Sequence, residues 1–131
     1  MKRLLLDTHV FLWTLASQSR LRDSVRKEIA DAGNQVFISS IAVWEIAIKH
    51  ARGRMPGLTI PFPTLVGAIA TLGFKELPFK GAHAVATREL PKHHADPFDR
   101  AMIAQALAED LTLVTADKRV LKYPVHSLRA R

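Results

Sequence analysis

Arg3-Leu4-Leu5-Leu6-Asp7-Thr8-His9 opens the chain with an apolar run that stops at a carboxylate. Three consecutive leucines leave no face for water, so the run reads as a strand buried on both sides, the kind a parallel sheet uses. Leu111-Thr112-Leu113-Val114-Thr115-Ala116-Asp117 repeats the arrangement near the other end. In parallel sheets ligands gather beyond the carboxyl ends of the strands. The strand reading therefore places Asp7 and Asp117 at a candidate site.

Between these runs helical and strand patterns alternate. A helix follows the first strand over about Val10 to Leu15, and Asp23 to Ala32 carries helical spacing at Val25 and Ile29 before Gly33-Asn34 stops it. Val36-Phe37-Ile38 reads as a second strand, after which Ser39 or Ser40 caps a helix running to about Arg52, ahead of Gly53. Arg54 to Thr59 is a loop, Pro61 to Leu72 a helix ending at Gly73, and Phe74 to Leu77 a strand. Ala82 to Leu90 is helical, Pro91 to Ala95 a loop, and Pro97 opens a helix to about Glu109. The strand Leu111 to Val114 follows, then a helical turn over Lys118 to Leu121 and a last strand over Val125 to Leu128. This alternation predicts an α/β fold, a central mainly parallel sheet covered on both faces. At 131 residues we expect a single domain spanning 1–131, with no repeat and no linker.

The 48% hydrophobic share and mean hydropathy of +0.05 are those of a globular chain. Without cysteine, disulfides, thiolate zinc sites and iron–sulfur clusters are excluded, so any metal must be held by oxygen or imidazole. Asp7 and His9 end the first apolar run too early for a signal peptide, and no stretch approaches the ~20 apolar residues of a spanning helix. The expectation is a cytoplasmic protein without membrane contact. Nineteen Lys and Arg against twelve Asp and Glu give a net charge of +7, which favours polyanionic partners.

Four carboxylates stand inside apolar sequence, where burial costs free energy unless a cation or a solvent-filled cleft receives them. Asp7 alone could be a helix cap. Glu45 shares a helix face with Ile41 and Ile48, which argues against a merely exposed pair with Lys49, an arrangement worth only ~0.3 to 0.5 kcal/mol. In Asp96-Pro97-Phe98-Asp99-Arg100, Pro97 suits the first helical position. Asp96 is then the cap and Asp99 a residue of the first turn, so capping accounts for Asp96 and leaves Asp99 as the better metal ligand. Asp117 ends its strand beside Thr115. His83, His93 and His94 read as solvated or supporting groups rather than ligands, and Trp13 and Trp44 as core or interface anchors. Lys49, Arg52, Arg54, Arg100, Lys118 and Arg119 lie near the acids in sequence and are candidate phosphate contacts, although each also reads as ordinary surface.

Taken together, Leu5-Leu-Asp-Thr-His, Ser40-Ile-Ala-Val-Trp-Glu-Ile-Ala-Ile-Lys, Asp96-Pro-Phe-Asp-Arg with Ile103-Ala-Gln-Ala, and Leu113-Val-Thr-Ala-Asp resemble the PIN-domain ribonucleases, particularly the VapC-type toxins of bacterial toxin–antitoxin pairs. The resemblance runs over nearly the whole chain. It implies a three-layer α/β/α sandwich whose acids bind Mg²⁺ or Mn²⁺, and it carries over onto Asp7, Glu45, Asp99 and Asp117. Ser40 and Thr115 match polar positions near that cluster, and Asp96 is an additional acid whose share of the work with Asp99 stays open. It also implies metal-dependent cleavage of RNA, a cognate antitoxin and commonly a homodimer. A haloacid-dehalogenase phosphatase needs a second Asp where this chain has His9. The remaining alternatives are a DNA-directed nuclease of related fold and a non-catalytic RNA-binding or scaffold domain.

Overall fold

The computed structural model describes residues 1–131. Five strands, β1 (Arg3–Leu6), β2 (Gln35–Ser39), β3 (Lys75–Leu77), β4 (Thr112–Thr115) and β5 (Ser127–Arg129), form one sheet in the order β3-β2-β1-β4-β5. Every pairing is parallel. Leu4, Leu5 and Leu6 are all fully buried although successive strand side chains point to opposite faces, so β1 is covered on both sides. The covering elements are α1 (Thr8–Ala16), α2 (Asp23–Ala30), α3 (Ser40–Ala51), α4 (Leu65–Thr71), α5 (Gly81–Ala86) and α6 (Pro97–Glu109). The architecture is the expected three-layer α/β/α sandwich. α3 packs on α6 and α1, and α5 packs on α6.

The chain leaves β1 toward β2 on one side, while β4 pairs with β1 on the other, so the strand order reverses beside β1. That switch point opens a crevice at the carboxyl ends of β1 and β4. The Asp7 backbone N–H extends the ladder by donating to the Val114 carbonyl at 3.1 Å.

Local departures from the expected elements have identifiable causes. α1 begins two residues earlier, because Asp7 itself caps it and accepts from the Val10 N–H at 2.9 Å. Ser39, not Ser40, caps α3, accepting from the Ile41 N–H at 3.0 Å. The segment after Pro61 starts as a 3₁₀ turn over Phe62–Thr64, closed by the Thr64 N–H on the Pro61 carbonyl at 2.9 Å, and becomes α-helical only at Leu65. α5 stops at Ala86 and tightens into a 3₁₀ turn over Thr87–Glu89, and the last strand is Ser127–Arg129 rather than Val125 to Leu128.

Candidate active site

Asp7, Glu45, Asp96, Asp99 and Asp117 line one open cleft of about 320 Å³, with Thr8, His9, Trp13, Lys49 and Arg119 among its other walls. Each acid arrives by a different local device. Asp7 is the β1-to-α1 junction and α1 N-cap. Glu45 projects from α3, Asp96 caps α6 by accepting from the Phe98 and Asp99 N–H groups at 2.8 and 3.2 Å, and Asp99 stands in the first turn of that helix. Asp117 follows β4 by two residues.

Burial of these carboxylates is met by specific donors. Glu45, 4% exposed, accepts from the Thr8 hydroxyl at 2.6 Å and pairs with Lys49 one turn along α3. The fully buried Thr115 hydroxyl accepts from the Asp117 N–H at 3.1 Å and, on its other side, favours the charged form of Asp7, so one side chain bears on two acids. Burial nevertheless pushes the Asp7 carboxyl up, outweighing the lowering influence of Thr115 and of the Val10 N–H. Asp99 is pushed up to about 6, first by burial and then by the negative charges of Asp96 and Asp7, although His94 opposes this. Asp117 moves the other way: burial raises it, but hydrogen bonds from Arg119 outweigh that and hold the carboxyl below its usual range.

His94 completes the constellation. It is buried, its Nε2 lies 2.7 Å from Asp99 Oδ2 and 3.4 Å from Asp117 Oδ2, and its Nδ1 accepts from the Asp96 N–H at 3.4 Å. With Nδ1 an acceptor, the hydrogen-bond network assigns the proton to Nε2, pointing at Asp99. His94, Asp99 and Asp117 offer ligand atoms within 4.8 Å of one another. This tight trio includes a histidine that the expected quartet of Asp7, Glu45, Asp99 and Asp117 does not. His94 is the residue that sequence reasoning undervalued, and the only signal for it is its place two residues before the α6 cap.

Lys49 takes Glu45 and Arg119 takes Asp117, whereas Asp7, Asp96 and Asp99 face the cleft without a Lys or Arg partner. Such an oxygen-rich, charge-unbalanced donor set suits a hard divalent cation.

The other residues singled out in the sequence are distributed differently. Arg52 and Arg54 line a neighbouring trough rather than the acidic cleft. Ser40 is not among the residues that line the cleft, and its hydroxyl accepts from the Phe79 N–H at 3.0 Å. Lys118 is exposed and lines neither cavity. Arg100 is the clearest correction: its guanidinium donates to the carbonyls of Pro91 at 2.9 Å and Thr87 at 3.0 Å and to the Tyr123 hydroxyl at 3.2 Å. It clamps the loop before α6 and is turned away from the acids.

The family profile described as PIN domain matches residues 4–125. No curated protein sequence is a significant match. Among solved structures, VapBC2 from Rickettsia felis, bound to a DNA fragment from its promoter, aligns with a TM-score of 0.71 at 16% identity, covering 98% of this chain and 99% of that one. DNA-bound VapBC from Salmonella typhimurium gives 0.68 at 18% identity, with 98% of each chain covered. FitAcB from Neisseria gonorrhoeae gives 0.67 at 24% identity, with 96% of each covered.

Proposed function

Since the chain belongs to the PIN domain family, whose members are generally metal-dependent nucleases, we propose that it is a Mg²⁺- or Mn²⁺-dependent endoribonuclease, a single PIN-like domain over 1–131 and the VapC-type toxin of a toxin–antitoxin pair. The observation that carries this reading is the convergence of acids from four distant segments on one cleft. Asp7 and Asp99 would hold the cation, with Glu45, Asp117 and Asp96 completing the donor set. Bound there, a divalent cation supplies Lewis-acid activation of water and neutralises charge developing on a phosphodiester.

The chain's own residues do the rest. Thr8 and Lys49 hold the Glu45 carboxylate at the cleft wall, with one oxygen bonded to each. The Val10 N–H holds Asp7, Thr115 holds the Asp117 backbone, and His94 orients Asp99 through its Nε2 proton. Support of this kind, behind the groups that meet the metal, sets ligand geometry and affinity. Arg119 neutralises Asp117 at the rim, and the net charge of +7 draws a polyanion toward a cleft whose floor is negative.

A cytoplasmic location, a cognate antitoxin and a homodimer belong to the same proposal. No helix is long and apolar enough to cross a membrane. Solved structures that share the fold include VapBC and FitAcB proteins, which supports an antitoxin partner. Trp44 (56% exposed) and Phe98 line an apolar hollow on the α3–α6 face, which supports a dimer contact there.

The test is cleavage of labelled single-stranded RNA and DNA with Mg²⁺, Mn²⁺ or excess EDTA, with Asp7→Asn as control. RNA cleavage that disappears in EDTA and in the variant is the expected result. Undiminished cleavage under either condition removes the proposal, preferential DNA cleavage favours a DNA-directed nuclease, and metal-independent RNA binding without cleavage favours a scaffold. Sequencing RNA ends after brief expression identifies the target.

A further inference from the structure

Beside the acidic cleft runs a trough of about 690 Å³, and the two share His9, Trp13 and Lys49 as a common wall. We propose that this trough carries the single-stranded stretch of RNA next to the scissile phosphate, with one unpaired base stacked on Trp13 and its phosphates held by Arg20, Arg52 and Arg54. The proposal rests on the nuclease reading above and adds residues that position and select the substrate.

Its charge is one-sided. Arg20, Lys49, Arg52 and Arg54 line the trough, and no carboxylate does. The end of α3 is shaped to deliver two of these. Gly53, at φ 65°, donates to the His50 carbonyl at 3.0 Å while the Arg54 N–H returns to the Lys49 carbonyl at 2.8 Å, a Schellman turn that sets Arg52 and Arg54 on either side of the glycine. A Cβ on Gly53 would meet nothing within 4 Å, so glycine is there for the backbone conformation and not for space.

Trp13 gives the trough its chemistry. It is half-buried against the core, lines both cavities, and has the guanidinium carbons of Arg20 and Arg131 each 6.0 Å from its ring centroid. A flat indole flanked by cations matches a nucleotide, which is a π-face joined to a phosphate, better than it matches a plain anion. A cavity of this size accommodates such a group. In a duplex the base faces are already stacked on one another, so the platform selects single strands.

The experiment uses the Asp7→Asn protein with Trp44→Phe, leaving Trp13 as its sole tryptophan, titrated with short single-stranded oligoribonucleotides, the matching duplex and a polyglutamate peptide. Trp13 fluorescence should respond to the single strand and not to the duplex. Trp13→Ala should weaken single-strand binding about 5- to 100-fold, with Trp13→Phe restoring most of it. Replacing Arg52 and Arg54 together by Gln should lower the slope of log K against log salt by about 1.4. In the cleaving protein, Trp13→Ala should raise KM with kcat within about twofold.

A silent Trp13 signal with an unchanged salt slope overturns the proposal even if Trp13→Ala does not fold. A polyglutamate response equal to that of RNA also overturns it, leaving the trough an anion or acidic-peptide site. RNA cleavage with these readouts flat removes the trough assignment alone, whereas a Trp13 response to RNA without cleavage removes the nuclease reading alone.

Discussion

Asp99→Asn should make the metal-free protein more stable at neutral pH while removing its function. The Asp99 carboxyl titrates near 6 in the folded chain against an ordinary 3.8. At 1.36 kcal/mol per pH unit, that difference disfavours folding at pH 7 by about 3 kcal/mol. The folded state binds the extra proton, so the Asp99 contribution to wild-type stability is most favourable below about pH 4 and is lost as pH rises through 6. Asparagine keeps the shape, can still accept from His94 and carries no charge. Allowing a factor of two for imperfect mimicry, the variant gains about 1.5 to 3 kcal/mol. For a chain of this length the unfolding entropy gives about 0.28 kcal/mol per degree, so Tm rises by roughly 5 to 10 °C. Thermal unfolding in EDTA at pH 7 and pH 4 measures both ends of the window. The variant should lead at pH 7 and converge with wild type at pH 4, and Mg²⁺ should close the pH 7 gap by stabilising wild type alone. A variant less stable than wild type at pH 7 in EDTA, or one whose lead persists at pH 4, would refute the reasoning that unbalanced charge burdens this site.

Other expectations follow from the same geometry. Mg²⁺ affinity should fall as pH drops through about 6, because the ion must displace the Asp99 proton, and calorimetry at pH 7.5, 6 and 5 would show a flat profile if it does not. His94→Ala should cost about 10- to 100-fold in metal affinity or cleavage, read by Mn²⁺ titration and initial rates, and near-wild-type values would mean that His94 does not orient Asp99. Arg100→Ala should destabilise by about 2 kcal/mol in urea without changing the salt dependence of RNA binding, the reverse of what a phosphate contact would do. Gly53→Ala should cost about 1 kcal/mol through backbone strain alone.

The buried strands were legible in the sequence because Leu4 to Leu6 and Leu113 to Val114 leave no polar face, and their terminal acids lie in the crevice that a parallel sheet creates. Glu45 was legible because an acid among isoleucines on one helix face needs a reason. What the pattern could not show is direction. Asp99 and Arg100 are neighbours in sequence, but adjacent helical residues point about 100° apart, so Arg100 turns to the loop carbonyls instead of the acids. Of the adjacent His93 and His94, only the fold decides which turns inward: His93 is exposed against the Tyr123 ring and His94 is buried between two carboxylates. Ser39 and Ser40 were similarly ambiguous, and the hydroxyl that caps α3 is the one also bonded to Gln105 inside the core.

The pairing of β1 with β4 joins Leu4 to Thr112 across most of the chain. A polypeptide that ends between Glu45 and Thr112 has Asp7 and Glu45 but neither the inserted strand nor Asp117, so one wall of the cleft is missing. A contact of such long sequence separation is also among the slower ones to close. Copies cut short before β4 would therefore lack a completed acidic cleft, and whatever chemistry the cleft performs would wait on the insertion of that strand.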